Sequence, residues 1–312
     1  MTDNTSTSTA TVTMDDGAKL FVKVLGGPVS NTAKPLLIAL HGAPGLISHL
    51  ESEATFSFLA PHYRVLAYDA RGSGASDGTP PYTHARWIRD IEALREWAGT
   101  ADGKFVLAGH SYGGFIALDY ALTHGDRLRG LVLRDTWTDG QAGSMGALAR
   151  VVTSPRVAGK VDVERQIRLW SGNLESQAEF EASILEILSV YAPPDELVEK
   201  HNREQGINPG EAPAALEGDG STKPRYNWHA QNAAFSQNMR TFNVRNRLHE
   251  IQARTLVMVG RHDIVTPVAF SEEIASKVPH AELVLFEESG HNPALDEPAK
   301  FQKTVLEFLQ SL

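Results

Sequence analysis

The sequence predicts an α/β fold, a mostly parallel, doubly wound sheet with a helical insertion. Short apolar runs without polar alternation, the pattern of strands buried on both faces, recur between residues 36 and 133. Strand-type runs resume between residues 255 and 286. Segments with helical spacing lie between several of these runs, and this alternation is typical of right-handed parallel sheets. Between residues 139 and 245 the alternation stops, so we expect this stretch to leave the sheet.

The N-terminus is expected to be a flexible tail followed by a β-hairpin. Residues 1–10 are rich in Ser and Thr and contain no apolar core. Residues 11–14 and 20–25 form two β-rich runs on either side of Asp15-Asp16-Gly17, and an Asp-Gly turn commonly joins the strands of a hairpin. This hairpin would form an antiparallel edge of the sheet.

Six strands and an amphipathic helix are predicted in the rest of the core. The strands are expected at residues 36–40, 64–68, 105–108, 131–133, 255–259 and 283–286. After Thr83, apolar residues recur at helical spacing and predict a helix. It would bury Trp87, Ile88, Ile91, Leu94 and Trp97 and expose Arg95 and Glu96. Further helical patterns cover residues 268–278 and 299–309.

Residues 139–245, called the insertion below, are predicted to be helical and to cover the sheet as a cap. Helical segments are expected at 163–170 and 180–191, and Pro193-Pro194 and a Gly/Pro-rich stretch at 209–220 interrupt the pattern. The expected division of the chain is a flexible tail at 1–10, an α/β core at 11–138 and 246–312, and the insertion at 139–245.

Composition limits the classes of partner and function. The 312 residues carry a formal net charge of −9 and no basic stripe, which argues against a nucleic-acid partner. Cysteine is absent, so disulfides and thiolate nucleophiles are excluded. The N-terminus has no secretory signal pattern, and no apolar run approaches the roughly 20 residues that span a bilayer. We therefore expect a cytoplasmic protein that acts on a small molecule, without membrane contact and without a cofactor.

The stretch Gly109-His110-Ser111-Tyr112-Gly113 predicts a nucleophilic serine. A β-type run precedes it and an apolar segment with helical spacing follows it, which is the strand, sharp turn and helix that presents such a serine. Glycines are needed on both sides because the serine backbone is strained and because the strand and the helix converge there. The alternative is an ordinary glycine-rich loop.

A serine hydroxyl needs a base, and the base needs a carboxylate that orients it. Asp263 and His291 each follow a predicted strand, at the sheet edge where open α/β sheets place their sites. The order Ser111, Asp263, His291 is the order found in α/β-hydrolases. Asp135 also ends a strand and is the rival acid. We expect His110 and His262, the neighbours of Ser111 and Asp263, to be structural.

Two backbone N–H groups are predicted to stabilise the oxyanion that forms on attack. One belongs to Tyr112, directly after the nucleophile. The other is expected in the loop after strand 36–40, with the amide of Ala43 as first choice and that of Gly42 as second. The alternative is that this loop is only a tight turn.

These motifs together resemble the α/β-hydrolase superfamily and in particular its proline-iminopeptidase-like branch. The residues that carry the likeness are His41-Gly42-Ala43-Pro44-Gly45, Asp69 to Ser76, the Ser111 stretch, Gly260-Arg261-His262-Asp263 and Ser289-Gly290-His291. The resemblance implies an α/β-hydrolase fold with Ser111 as nucleophile, Asp263 as acid and His291 as base. It also implies that the loop from Asp69 to Ser76 is structural.

Departures from the family pattern bear on the substrate. The branch usually has glycine where Ala43 stands, a tolerable change because only the backbone N–H would be used. Its aminopeptidase members hold a substrate's free amine with glutamates, and the corresponding places here read Ala233-Ala234 and Ile264. Glu204 or Glu217 could substitute. Because a desolvated ammonium needs a carboxylate partner, the apolar replacements favour a substrate without that amine.

Aromatic and amide side chains of the insertion, together with Trp137 just before it, are candidates for substrate contact. Such a lining suits a flat or apolar small molecule with a few polar groups. The candidates are Trp137, Tyr226, Trp228, His229, Asn232 and Phe235. The alternative is that these aromatics only pack the insertion onto the core.

The leading hypothesis is therefore a serine hydrolase that cleaves an ester, lactone or amide of a small, largely apolar substrate through an acyl-enzyme. The alternatives are a proline iminopeptidase and a ligand-binding receptor or carrier on the same fold. Epoxide hydrolysis and dehalogenation are disfavoured because the relatives that perform them have aspartate in place of Ser111. No metal site is expected, since the histidines form no H-E-x-x-H or similar ligand set.

Overall fold

The computed structural model describes residues 6–206 and 226–312, and in this part of the chain eight strands form one sheet. The strands are β1 (Thr7–Thr13), β2 (Lys19–Leu25), β3 (Leu36–Leu40), β4 (Arg64–Tyr68), β5 (Phe105–His110), β6 (Leu128–Arg134), β7 (Thr255–Gly260) and β8 (Ala281–Phe286). Their order is β1-β2-β4-β3-β5-β6-β7-β8. The pairings of β1 with β2 and of β2 with β4 are antiparallel and the other five are parallel, so the predicted mostly parallel sheet with an antiparallel edge is confirmed.

Helices cover both faces of the sheet. They are α1 (His49–Phe56), α2 (His84–Ala98), α3 (Tyr112–His124), α4 (Gly140–Thr153), α5 (Val163–Ser171), α6 (Gln177–Ile187), α7 (Asp195–Gln205), α8 (Trp228–Ala233), α9 (Met239–Thr241), α10 (Val268–Lys277), α11 (Pro293–Asp296) and α12 (Pro298–Gln310). In β3, Leu36, Ile38 and Leu40 pack in one apolar core with α2, α3 and α10, whereas Leu37 and Ala39 pack in a second core with α1 and α12. This alternation confirms the doubly wound arrangement.

The first strand begins earlier than the sequence pattern indicates. Thr7 already pairs with Leu25, so residues 7–10 belong to the sheet, and the expected tail at 1–10 is wrong for them. The reason is that pairing with β2 satisfies the backbone of a Thr-rich segment whose side chains are largely exposed. Residues 1–5 lie outside the described residues.

Helix α2 confirms the predicted amphipathic crossover, with one correction. The hydroxyl of Thr83 accepts a hydrogen bond from the amide of Arg86 (3.2 Å) and so caps the helix. Trp97, expected in the core, is 36% exposed, and Arg95, expected on the polar face, is only 9% exposed. The buried stripe passes through Ala98 instead, which lies one turn after Leu94.

The insertion leaves the sheet between β6 and β7 and holds helices α4 to α9. Its two ends lie side by side, because Asp139 pairs with Asn243 and the amide of Gly140 donates to the carbonyl of Phe242 (2.8 Å). Helices α5 and α6 cover most of the helical segments expected at 163–170 and 180–191, while the stretch at 209–220 lies outside the described residues. Within residues 6–206 and 226–312, no helix has the length and apolar character required to cross a membrane.

Candidate active site

Ser111 lies in the turn between β5 and α3, with its backbone in the left-handed region at φ 51°. Its amide donates to the carbonyl of Arg134 (2.9 Å), and its carbonyl accepts from the hydroxyl of Thr136 (3.0 Å). These bonds hold a strained backbone in place. Although Ser111 stands at the N-cap position of α3, its side chain makes no capping hydrogen bond, so the hydroxyl is left for other chemistry.

The glycines around Ser111 are required by close packing, as the motif predicts. A Cβ atom on Gly113 would lie 2.6 Å from the carbonyl oxygen of Leu40. A Cβ atom on Gly109 would lie 2.5 Å from the carbonyl oxygen of Gly113. Helix α3 can therefore approach the ends of β3 and β5 only because these two positions carry no side chain.

The predicted acid and base lie together after β7 and β8. His291 Nδ1 is 2.7 Å from Asp263 Oδ2, and both residues are buried. Asp263 Oδ1 accepts from the amides of Val265 (2.8 Å) and Thr266 (2.9 Å), and the Thr266 hydroxyl donates to Asp263 Oδ2. The carboxylate is thus fixed by several donors at once and can hold the imidazole in one orientation.

The electrostatics of this pair favour an ionised acid next to a basic ring. Burial works against the charge of Asp263, but His291 and the hydrogen bonds from His291 and Thr266 outweigh it and hold the pKa of Asp263 below its usual value. Burial also favours neutral His291, yet the charge and hydrogen bond of Asp263 raise the pKa of His291. Since Nδ1–H donates to Asp263, Nε2 of the neutral ring is free to accept a proton.

A buried frame joins the Ser111 turn to the loop of His291. His110 donates from Nε2 to the carbonyl of His291 (3.0 Å), and the two rings lie 5.0 Å apart. Burial lowers the pKa of His110 to about 4, so its ring stays neutral. Arg134 pairs with buried Glu51 and donates to Asn292 Oδ1 (2.9 Å). The structure gives His110 the supporting position expected for it.

The loop after β3 places Gly42 against Ser111, because a Cβ atom on Gly42 would lie 3.2 Å from the Cβ atom of Ser111. The Gly42 carbonyl accepts from His41 Nδ1 (2.7 Å), whose Nε2 accepts from the amide of Ala70 (3.0 Å). In a trans peptide the N–H points opposite to the C=O, so His41 also sets the direction of the Ala43 amide. Ala43 itself has a left-handed backbone, at φ 30°.

The amides of Ala43 and Tyr112 remain available as donors. Tyr112 is the first residue of α3, and the first amides of a helix have no acceptor within it. Within residues 6–206 and 226–312, neither amide donates to a protein acceptor. The loop is therefore compatible with an oxyanion-binding role as well as with a tight turn.

Asp135 also lies at this edge of the sheet, but His291 bonds to Asp263. Asp135 Oδ1 accepts from the amide of Gly260 (3.0 Å). One carboxylate oxygen of Asp135, one of Asp263 and one ring nitrogen of His291 lie within 4.8 Å of one another, which is close enough to consider a metal ion. The oxygens of Asp263 and Nδ1 of His291 already take part in hydrogen bonds, which favours a hydrogen-bonded pair over a cation site.

Among the predicted substrate contacts, Phe235 is the one placed next to the Ser111 turn. Its ring lies 6.1 Å from the ring of Tyr112 and 5.8 Å from that of Trp170. Tyr226 packs on Phe180 at 6.2 Å. Trp228 stacks on His229 at 3.7 Å, and His229 is exposed to solvent.

Asn232 and Trp137 have structural partners that account for their side chains. The carboxamide of Asn232 accepts from the amide of Leu174 (2.9 Å) and donates to the carbonyl of Leu174 (2.8 Å). Trp137 is 2% exposed, stacks on Phe115 at 5.0 Å and donates to the carbonyl of Val265 (3.1 Å). Both side chains therefore serve the packing that the alternative interpretation proposed.

The structure buries or partly buries the apolar side chains that stand at the positions expected for amine-binding glutamates. Ala233 and Ala234 are buried and Ile264 packs against the apolar core. Glu204, a possible substitute, is 60% exposed on α7 and lies 4.0 Å from Lys200. Glu217, the other possible substitute, lies outside the described residues.

Thr266, Tyr191 and the Glu51–Arg134 pair contribute to the site but were not singled out in the sequence. Thr266 follows Asp263 at three residues, a spacing typical of a local turn in which an acid accepts from the backbone, and that signal could have found it. The carbonyl of Tyr191 accepts from the amide of His291 (2.8 Å) across a long sequence separation. A local sequence pattern does not predict such contacts between residues that are far apart in the chain.

Comparisons with known proteins agree with this geometry. The profile of the α/β hydrolase fold family matches residues 35–298. The proline iminopeptidase PfmaB of Pestalotiopsis fici is 29% identical over 277 residues, which cover 89% of this chain and 91% of that protein. The putative carbamate hydrolase RutD of Pseudomonas savastanoi pv. phaseolicola is 27% identical over 279 residues, which cover 89% and 94%.

A solved structure gives the same result for the three-dimensional fold. The crystal structure of a hydrolase from Pseudomonas aeruginosa matches with a TM-score of 0.70 at 27% identity, covering 97% of this chain and 98% of that one. The predicted fold class and the resemblance to the proline-iminopeptidase-like branch are thereby confirmed. This chain belongs to the α/β hydrolase fold family and is a hydrolase.

Proposed function

We propose that this hydrolase uses Ser111 as nucleophile, His291 as general base and Asp263 as the group that orients the base. The observation that carries the proposal is the 2.7 Å contact between His291 Nδ1 and Asp263 Oδ2. His110, the neighbour of Ser111, bonds to the His291 carbonyl and so links this pair to a strained serine whose hydroxyl caps no helix. This is the arrangement that activates a serine hydroxyl.

In the proposed reaction His291 Nε2 takes the hydroxyl proton of Ser111 as Oγ attacks the substrate carbonyl carbon. The oxyanion receives hydrogen bonds from the amides of Ala43 and Tyr112, with Gly42 as the alternative donor. The imidazolium then gives its proton to the leaving alcohol or amine, which leaves an acyl-enzyme. Water activated by His291 cleaves the acyl-enzyme and restores Ser111.

For the substrate we propose an ester, lactone or amide of a small, largely apolar molecule, with the insertion acting as a cap. Support comes from Phe235 beside the Ser111 turn and from the buried apolar positions Ala233 and Ala234. A free ammonium placed against Ala233 and Ala234 would lose its hydration, and these two side chains offer it no carboxylate partner.

An activity panel tests this proposal. It contains short acyl esters, lactones, N-acyl amides and amino-acid arylamides, and Ser111→Ala serves as the matched control. We expect turnover of at least one acyl ester, lactone or N-acyl amide and a loss on the order of 10⁵-fold or more in the variant. Turnover that survives Ser111→Ala would contradict the proposal.

Release of N-terminal proline is the second candidate, favoured by the likeness to the iminopeptidase of Pestalotiopsis fici. A proline arylamide with a free amine and its N-acylated form separate the two. Preference for the free amine supports the iminopeptidase, whereas preference for the acylated form supports the amine-free substrate.

A further inference from the structure

Three residues other than glycine have a left-handed backbone in the described part of the chain, and all three are at the candidate site. They are Ala43 (φ 30°), Ser111 (φ 51°) and Asp135 (φ 48°). Such a conformation costs on the order of 1–3 kcal/mol and persists where the surroundings enforce it. The proposed reaction uses Ala43 and Ser111 but gives no role to Asp135.

The carboxyl group of Asp135 is buried and only half satisfied. Oδ1 accepts from the amide of Gly260 (3.0 Å), while Oδ2 has no hydrogen-bond partner among residues 6–206 and 226–312. Asp135 follows β6, which lies beside β7, so its carboxyl group reaches the same space as Asp263 and His291. One oxygen of Asp135 lies within 4.8 Å of a ring nitrogen of His291.

Burial, more than the neighbouring charges, disfavours the ionised form of Asp135. Asp263 from the loop after β7 and His291 from the loop after β8 face it, and Arg134 precedes it on β6. The guanidinium of Arg134 is occupied by Glu51 and Asn292. Burial, and then the negative charge of Asp263, raise the pKa of Asp135 well above its usual value. Two buried carboxyls at this distance cannot both ionise without a large cost.

We propose that Asp135 is a second carboxyl of the active site, a positioning residue that orients His291 when Asp263 is lost. The proposal rests on the proposed function. When Asp263 is lost, Asp135 releases its proton to solvent, and its carboxylate accepts the hydrogen bond from His291 Nδ1–H. The unpartnered Oδ2 of Asp135 and its distance from His291 support this role.

The test compares kcat/KM and its pH dependence in Asp263→Ala and in Asp263→Ala with Asp135→Asn. Loss of an orienting aspartate costs about 10⁴-fold in a serine protease. We expect Asp263→Ala to remain at least about tenfold above the double variant. Its activity should also rise with pH as Asp135 ionises, and this rise should disappear in the double variant. Equal rates and equal pH profiles in the two would overturn the proposal.

Controls distinguish a failure of the Asp135 role from misfolding of a variant and from a failure of the proposed function. The control is a double variant, Asp263→Ala with Asp126→Asn, in which the second change removes the charge of an exposed aspartate. Its kcat/KM should match that of Asp263→Ala alone. Circular dichroism checks that each variant is folded. If Asp263→Ala does not fold, Asp263→Ser, which keeps an acceptor for the Val265 and Thr266 amides, takes its place. If wild-type protein is not labelled at Ser111 by a fluorophosphonate, the proposed function fails. If it is labelled and the two aspartate variants are equal, only the role of Asp135 fails.

Discussion

The carboxyl edge of the sheet and the insertion differ in how their polar groups are used. At the sheet edge, hydrogen bonds to backbone and side-chain groups hold Ser111, Asp263 and His291. The Ser111 hydroxyl makes no helix-capping bond, and His291 uses Nδ1, rather than Nε2, toward Asp263. In the insertion, the carboxamide of the polar candidate Asn232 forms hydrogen bonds with the backbone of Leu174. Under the proposed function the sheet edge carries the chemistry, and the insertion contributes apolar surface such as Phe235.

This difference has a physical origin. Ends of parallel strands bring residues distant in sequence to one edge and fix them through the sheet's own hydrogen bonds. Helices of the insertion must first satisfy each other, and several of their apolar side chains, such as Leu185 at 71% and Met145 at 58%, remain exposed. Changes at the sheet edge should therefore affect rate, and changes in the insertion should affect substrate choice.

The largest effect is expected for His291→Ala. Without the base, the hydroxyl of Ser111 is a weak nucleophile, and kcat should fall on the order of 10⁵- to 10⁶-fold. His262→Ala is the control, because that histidine adjoins Asp263 and the proposed reaction gives it no role. Steady-state kinetics on the best ester of the panel measures both. A His291→Ala enzyme within about tenfold of wild type would place the base elsewhere.

Gly113→Ala should destabilise the sheet edge. Its Cβ atom would lie 2.6 Å from the Leu40 carbonyl oxygen, so α3 must shift, at a cost of about 1–3 kcal/mol in the free energy of unfolding. Gly125→Ala, with no atom within 4 Å of the added Cβ, is the control and should be nearly neutral. Urea unfolding measures both. Equal stabilities would mean that the close approach is not needed.

The rate should decline on the acid side of neutrality. His291 must be neutral to accept a proton, and because Asp263 raises the pKa of His291, the midpoint should lie above the pKa of a free histidine. Below it, kcat/KM should fall about tenfold per pH unit. Asp263 stays ionised through this range because its pKa is held low. A rate that stays constant well below the ordinary histidine pKa would contradict this assignment.

The smallest effect is expected for Phe235→Ala. Loss of its ring beside Tyr112 removes apolar contact with substrate, and KM for bulky acyl groups should rise about three- to thirtyfold with little change for acetyl esters. Leu185→Ala, at an exposed apolar position of the same insertion, is the matched control. If both variants leave the substrate ranking unchanged, the insertion does not select the substrate through Phe235.

The sequence was most informative where chemistry depends on short local patterns. The Ser111 turn, the strands and the positions of Asp263 and His291 at strand ends all follow from local periodicity and glycine placement. Trp137 and Asn232 show the limit, since the same side chains suit a pocket or a packed core, and only their partners Phe115 and Leu174 decide between these. The sequence predicts a flexible tail at residues 7–10 where the structure has a strand, because Thr-rich edge strands lack a strong apolar signal.

The central claim is that Ser111 is a nucleophile activated by His291 and Asp263. Incubation with a fluorophosphonate followed by peptide mass spectrometry tests it most directly, because the reagent bonds covalently to an activated serine. We predict one label per chain on Ser111, at a rate greatly reduced in His291→Ala and with no label in Ser111→Ala. A label on another residue, or unchanged labelling of Ser111→Ala, would contradict the claim.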